Sequence, residues 1–248
     1  MSTGLLTMLI AVPAYAVVLA LFWVMWLASR TRREKTVAIV AGIALAVWAT
    51  LATTLAARGA LVQPNGRTAP PVGINLLAAL AAIAACLALS PSLRRLLSNQ
   101  KHLIRLNVWR VVGAVFLLLA AFGQVPALWA LPAGIGDVLI GLTAFWVAAR
   151  LDAPGGRRRA INFNLLGLAD LVVAIGLGMA TSPGPTQLFH TTPTSALLTR
   201  FPLALVPAFL VPLAIMVHVA SLWQLLARSW AADTAPAAGP ERLRSGGA

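Results

Sequence analysis

The chain has 248 residues, of which 60% are hydrophobic and only 10% are charged, and its mean hydropathy is +0.87. A soluble domain of this length would carry about 25% charged residues, so the composition excludes a soluble globular protein and indicates an integral membrane protein. The formal net charge of +13 does not indicate a nucleic-acid partner, because the arginines stand between the apolar segments, where the positive-inside bias of a bilayer places them.

Cys86 is the only cysteine in the sequence. This excludes an intrachain disulfide and any metal cluster built from cysteines. Arginine far outnumbers lysine and alanine is abundant. That composition is common in GC-rich bacterial genomes, so we expect a bacterial inner membrane.

Seven apolar segments are long enough to cross a membrane as helices, which takes about 20 residues each. Strands of a membrane barrel are half as long and alternate in polarity. The chain is therefore predicted to be an all-α, polytopic helical bundle forming a single domain over residues 1–230. Its tail, 231–248, is rich in Ala, Pro and Gly and is predicted to be disordered. The predicted spans are 5–29, 36–57, 72–90, 106–123, 132–150, 161–181 and 201–227.

The basic residues between the spans predict the orientation. Fifteen arginines and lysines follow the first, third, fifth and seventh spans, whereas three fall in the opposite loops. The basic side should be cytoplasmic, which places the N-terminus outside and the C-terminus in the cytoplasm. No basic residue precedes the first apolar run, so we expect an uncleaved helix there rather than a signal peptide.

Each of the last four spans contains one ionisable residue within an apolar run: Arg110, Asp137, Asp170 and His218. Such groups cost roughly 2.5–3.5 kcal/mol each at membrane depth, so they normally face the bundle interior and pair. A rise of about 1.5 Å per residue puts Asp137 toward the outer side, Asp170 and His218 near the midplane, and Arg110 toward the cytoplasm. This order predicts a path through the bundle more than a single site.

Helical spacing places small and polar residues on the same faces as these groups, where another helix or a ligand can come close. With Asn107, the four ionisable residues are the candidate substrate-binding or proton-binding residues. The predicted faces are Asn107, Arg110, Ala114, Ala121 and Gln124 on the fourth span; Ala133, Asp137, Gly141, Ala144 and Ala148 on the fifth; Gly167, Asp170 and Ala174 on the sixth; and Ala214, His218 and Ser221 on the seventh.

Structural roles for these residues stay open as alternatives. Arg110 is near enough to the predicted cytoplasmic surface to snorkel. Asp137 follows two glycines and a proline, so it can help to start a helix. His218 can be a structural histidine that hydrogen-bonds across helices. The other two histidines fall in loops on opposite sides of the membrane, so we predict neither a metal site nor a cofactor.

Two features surround the outer mouth of the predicted site. Pro202, Pro207 and Pro212 predict either a broken or flexible outer segment of the seventh span or a static kink, and interrupted helices form binding and gating regions in transporters. The loop 182–200 is long enough to fold over the mouth as a lid.

Three functions are compatible with this pattern. The first, which we favour, is a carrier for a small solute or for a proton-coupled substrate, in which Asp170 or His218 exchanges a proton. The second is a membrane-embedded enzyme acting on a lipid or isoprenoid through Asp/His acid–base chemistry, which requires acid and base to converge on one pocket. The third is a non-catalytic scaffold or receptor, whose polar residues would be fully paired with one another and leave no cavity.

Overall fold

The computed structural model describes residues 2–62 and 71–233, with side chains through residue 227. Within these ranges the chain contains no strand, and seven helices are long and apolar enough to cross a membrane, which confirms the predicted all-α multi-pass bundle. Of the tail predicted to be disordered, 231–248, the first three residues are helical, which corrects the prediction there, and the rest lies outside the described residues. The helices are α1 (Thr3–Ala28), α2 (Arg32–Ala57), α3 (Pro71–Leu89), α4 (Gln100–Ala121), α5 (Ala127–Ala149), α6 (Gly156–Ala180) and α7 (Val206–Ala227).

Several helices begin earlier than the hydropathy predicted, because capping residues and tolerated prolines extend them. α2 starts four residues earlier, at Arg32, since Thr31 and Glu34 form a capping box in which each side chain accepts from the other's backbone N–H. α5 starts at Ala127 rather than at 132, because Pro132 is accommodated inside the helix. α6 starts at Gly156, five residues before the predicted boundary.

The two most irregular helices are α4 and α7. α4 begins six residues earlier than predicted, and its central segment Leu106–Gly113 is wound as a 3₁₀ helix. α7 begins five residues later than predicted, with a π-helical turn over Val206–Leu210, and its α-helical part Val211–Asp233 continues past the predicted end at 227. The N-terminal end of this helix is therefore irregular, in the region where the three prolines predicted an interruption or a kink.

α4 lies at the centre of the bundle. Its 3₁₀ segment packs against α5, α1 and α7, while α5 also packs against α6, and α6 against α7. In the most apolar stretches of α4 and α7, 50% and 67% of the residues are buried inside the protein, compared with 11% in α3. α4 and α7 are therefore the spans that face protein over the largest share of their length.

The outer surface of the bundle is apolar. Leu19 of α1, Leu77 of α3 and Val172 of α6 are each 67–69% exposed. Side chains of this kind are stable in contact with acyl chains and costly in contact with water. The surface therefore fits a lipid bilayer as its surroundings.

Candidate functional site

The winding of α4 presents its polar residues on one line. A 3₁₀ helix has 3.0 residues per turn, so residues three apart lie directly above one another. Asn107, Arg110 and Gly113 follow this spacing, and all three are buried while the residues between them are only partly covered. The 3₁₀ segment therefore aims Arg110 at the middle of the bundle.

Arg110 is the centre of a hydrogen-bonded cluster and is fully buried, with 0% of its surface exposed. Its Nε donates to Oδ1 of Asp137 on α5 over 2.6 Å, and its Nη2 donates to Oδ2 of Asp170 on α6. Its Nη1 donates to Nε2 of His218 on α7 over 3.1 Å and to the carbonyl of Gly167 over 3.4 Å. One guanidinium thus joins four consecutive helices.

The cluster carries two carboxyl groups and one guanidinium. The side chains of Asp137 and Asp170 are 17% and 12% exposed, respectively, so both retain limited access to their surroundings. When both are ionised the group has a net charge of −1, because Arg110 is the only cation bound to them among the described residues. This imbalance distinguishes the cluster from a simple one-to-one buried ion pair.

Glycines allow the helices to come close enough for these contacts. A β-carbon at Gly136 would overlap the Asp170 carboxylate, and one at Gly167 would overlap the His218 ring. A methyl group at either position would therefore displace a side chain that binds Arg110. Neither contact was predicted, although Gly167 was placed on the same face as Asp170.

His218 is held in its neutral form by its two neighbours. An arginine nitrogen can only donate, so Nε2 of His218 must accept from Arg110. The other ring nitrogen, Nδ1, then carries the proton and donates to Oδ1 of Asn164 over 2.9 Å. The imidazole is 0% exposed. The structural role that was left open for His218 is thus supported by both of its hydrogen bonds.

A chain of hydrogen bonds continues from His218 toward the C-terminal end of α7. Asn164 donates to Ser221 over 2.9 Å, Ser221 donates to Gln100 over 2.7 Å, and Gln100 donates to Gln224 over 3.2 Å. Gln224 in turn donates to the backbone carbonyl of Leu97 over 2.8 Å. Three of the members are amides, whose side chains do not gain or lose a proton by ionisation near neutral pH. The chain therefore orients His218 and does not form a simple proton wire.

The four ionisable residues form one site and not the descending path that was predicted. Each lies at least nine residues from either end of its membrane-spanning stretch. The early starts of α4, α5 and α6 shift the depth estimates by about 8–9 Å, at about 1.5 Å per residue. Arg110 and Asp137 were therefore assigned to opposite sides of the midplane, although they are bonded to each other.

The predicted face of α4 is partly wrong. Ala114 and Ala121 are exposed and Gln124 is only partly buried. Asn107 is buried as expected, but its Nδ2 donates to the carbonyls of Leu103 and Ile104 in its own helix, and among the described residues no side-chain hydrogen bond joins it to the four ionisable residues. Its Oδ1 has no hydrogen-bond partner among the described residues.

A cavity of about 120 Å³ extends from the loop between α6 and α7 down to Asp137. Its walls are mainly apolar, and Trp109, Phe116 and Trp129 are among them. The loop contributes Ser182, Pro183, Pro185, Thr186, Ser195, Leu198 and Thr199 to its lining. The loop therefore forms one end of this cavity, and that this end is the outer one stays a prediction.

Two of the alternative readings can be weighed on this geometry. Snorkelling of Arg110 is wrong, because the side chain is fully buried and its donors bind groups inside the bundle. Asp137 does not start a helix, since α5 begins ten residues before it.

Within the part of the chain that the structure describes, no three His, Cys, Asp or Glu side chains are grouped closely enough to hold a metal ion.

Comparison with known proteins identifies a family but no characterised relative. Residues 69–226 match the model of a family described as a domain of unknown function, DUF8737. The match covers more than half of the chain, so the chain belongs to this family, and all residues of the cluster lie within it. No curated protein and no solved structure matches the chain.

Proposed function

We propose that this DUF8737 protein is a carrier that moves a small solute across the membrane and couples the movement to protons at Asp137 and Asp170. One observation carries the proposal. Two carboxyl groups share a single buried guanidinium at the middle of the bundle, and one of them, Asp137, also lines a cavity. The site therefore combines an ionisable group with access from one end.

The charge imbalance is the reason for expecting coupling. An unpaired charge inside a membrane is costly, so the cluster is most stable when a proton or another cation compensates its excess carboxylate. Proton gain and loss at this pair changes the net charge of the bundle core between 0 and −1. A carrier uses such a change to favour different states of the protein with and without its solute.

The geometry gives less support to the enzyme alternative. That alternative requires an acid and a base within reach of one substrate, but among the four ionisable residues only Asp137 lines the cavity. His218 has both ring nitrogens bound to protein groups. A substrate in the cavity would thus meet one carboxyl group and no second acid or base of the cluster.

The scaffold alternative receives mixed support. Its first requirement, mutual pairing of the polar residues, is met by the bonds of Arg110. Its second requirement, a core without a cavity, is not met, because the space above Asp137 is open to a small molecule. The cavity is what favours the carrier.

The proposal includes an orientation and a compartment. The ends of α1, α3, α5 and α7 carry the basic clusters of the sequence, and the positive-inside bias puts these ends in the cytoplasm. The cavity, which lies under the loop at the opposite end, then opens to the outside. The arginine-rich, alanine-rich composition favours the inner membrane of a bacterium.

The test uses purified protein in liposomes with an imposed pH gradient. Uptake is measured for a panel of small radiolabelled cations, neutral solutes and anions, with the wild type and Asp170→Asn. The amide keeps the shape of the side chain and removes its charge. The proposal predicts gradient-driven uptake of at least one solute class by the wild type, and its loss in Asp170→Asn.

Infrared difference spectra taken across a pH titration provide a readout that needs no solute. The wild type should show a protonated-carboxyl band that appears on acidification and that is absent or shifted in Asp170→Asn. A wild-type protein without gradient-driven uptake and without this band would contradict the carrier. Uptake that is unchanged in a folded Asp170→Asn variant would remove the proposed coupling site.

A further inference from the structure

We infer that the cavity above Asp137 binds a small organic cation with an aromatic or apolar body, in exchange for a proton on the carboxyl pair. This inference rests on the proposed carrier function and names its substrate class. It is drawn from the shape and lining of the cavity, the charge of the cluster beneath it and the accessibility of each charged atom.

The cavity favours a small and mostly apolar occupant. Its volume of about 120 Å³ is well below the roughly 300–1,000 Å³ of pockets for drug-sized ligands. Its walls include Leu171, Ile175 and Leu210 as well as three aromatic side chains. A single ring or a short branched chain fits this space, whereas a highly hydrated polar solute would exchange its water for the few polar groups of a mainly apolar lining.

The aromatic side chains supply a further preference for a cation. Trp109, Phe116 and Trp129 all line the cavity, and the rings of Phe116 and Trp129 pack at a centroid distance of 4.9 Å. Aromatic faces attract cations through their quadrupole, and tryptophan does so best. A protonated or quaternary amine between these rings and a carboxylate would be attracted from both sides.

An anion would find no cationic side chain among the described residues that line this cavity. Asp137 is the only charged side chain among the described residues that line it. The Arg110 guanidinium beneath is not part of the lining, and its Nε, Nη1 and Nη2 each donate to a group inside the bundle. An anionic ligand would therefore approach a carboxylate, with the Arg110 guanidinium outside the cavity lining.

Competition with a proton follows from the charge of the cluster. With both carboxyl groups ionised, Asp137, Asp170 and Arg110 together leave one negative charge, which one proton or one monovalent organic cation can compensate. The proton, on leaving, goes to the solvent as the cation enters. One cation therefore replaces at most one proton, and cation binding should weaken as the pH falls.

Three compounds that share a phenyl ring separate charge from shape: the phenethylammonium cation, the neutral phenethyl alcohol and the phenylacetate anion. Binding of each to the purified, detergent-solubilised full chain is measured by isothermal titration calorimetry. We expect the cation to bind at least tenfold more tightly than the alcohol, and the anion to bind more weakly than either. Equal binding of cation and alcohol would overturn the inference.

Matched substitutions locate the counter-charge. Asp137→Asn should weaken phenethylammonium binding at least tenfold and leave phenethyl alcohol binding unchanged. Asp152→Asn makes the same chemical change in a carboxyl group that is 75% exposed at a surface ion pair with Lys101, and it should leave both affinities unchanged. Circular dichroism and gel filtration establish that each variant is folded. A folded Asp137→Asn variant with wild-type affinity for the cation would overturn the inference.

Proton exchange is counted with benzyltrimethylammonium, a quaternary cation that cannot carry a proton. Titrations in two buffers of different ionisation enthalpy should show release of up to one proton per cation bound, decreasing as the pH rises. Cation binding without proton release at any pH would overturn the exchange.

The liposome assay separates this site from the carrier function. Cation binding without uptake in liposomes would contradict the carrier but not this site. Gradient-driven uptake of a neutral solute or an anion alone would overturn the site but not the carrier.

Discussion

Replacing Gly167 by alanine tests whether the close contact between α6 and α7 is needed to hold His218 against Arg110. A β-carbon at this position would overlap Cε1 and Nε2 of the His218 ring, and Nε2 is the atom that accepts from Arg110. The ring would have to rotate or the helices would have to separate. Either movement lengthens the hydrogen bond to Arg110 and the one to Asn164.

The expected loss of stability can be estimated from three contributions. Overpacking a close helix contact costs about 1–3 kcal/mol. Each interhelical hydrogen bond weakened in a membrane protein contributes about 0.6–1.7 kcal/mol. Alanine is favoured over glycine in a helix by about 0.5–1 kcal/mol, which acts in the opposite direction. We therefore expect Gly167→Ala to lower the free energy of unfolding by about 2 kcal/mol.

Gly176 of the same helix provides a matched control. A β-carbon there would meet no atom within 4 Å, so Gly176→Ala should be neutral or stabilising by about 0.5 kcal/mol. Unfolding by sodium dodecyl sulfate, followed by circular dichroism in mixed micelles, measures both variants. If Gly167→Ala were as stable as Gly176→Ala, the contact between His218 and α6 would not contribute to stability, and the arrangement of the cluster described above would be refuted.

Three further predictions address the arginine, the hydrogen-bonded chain and the orientation. Arg110→Lys keeps the charge but replaces a planar fork of five donors by three donors on one nitrogen. It should lower the free energy of unfolding by about 2 kcal/mol, through loss of two or more interhelical bonds, and wild-type stability in the same detergent titration would show that charge alone suffices. Ser221→Ala removes the link from Asn164 to the glutamines and should cost about 1 kcal/mol; an unchanged unfolding curve would argue against a continuous chain. In a cysteine-free Cys86→Ala background, a membrane-impermeant maleimide should label Leu188→Cys on intact cells and Ala153→Cys only after permeabilisation, and the reverse pattern would contradict the proposed orientation.

The fold was predictable because the bilayer imposes a length and a polarity on each helix. Seven apolar segments sufficed to predict seven spans, and the described residues contain seven helices long and apolar enough to cross a membrane. The boundaries were less predictable, since they depend on local chemistry that hydropathy ignores. The Thr31 and Glu34 capping box, the accommodated Pro132 and the π-helical turn at Val206–Leu210 each moved a helix end by four or five residues.

The membership of the site was predictable in part. Ionisable residues in apolar runs are expected to pair, and this argument identified Arg110, Asp137, Asp170 and His218 before their contacts were known. The amides that extend the site, at Asn164, Gln100 and Gln224, were missed because polar residues nearer to helix ends are also common in contact with water. The signal that could have found them is burial, which depends on the packing of distant helices and is not written in any local pattern.

The winding of α4 explains why the face around Arg110 could not be predicted correctly. In an α-helix successive residues turn by about 100°, so Ala114 would lie only about 40° from Arg110. In a 3₁₀ helix they turn by about 120°, so Ala114 moves to about 120° away and Gly113 takes the position in line with Arg110. The burial of Gly113 and the exposure of Ala114 match the second geometry.

Runs of 3₁₀ helix longer than three or four residues are uncommon because their hydrogen bonds are poorer than those of an α-helix, yet this one has eight residues. Interactions from outside α4 must therefore favour it. The bonds of Arg110 to Asp137, Asp170 and His218 join residues that are 27, 60 and 108 positions apart in the chain. A β-carbon at position 113 would overlap the side chain of Asp137. α-helical winding would turn Gly113 away from Asp137 and bring the β-carbon of Ala114 toward it. The same close contacts that allow the carboxyl pair to share one guanidinium thus also favour the irregular winding that a local reading of the sequence cannot detect.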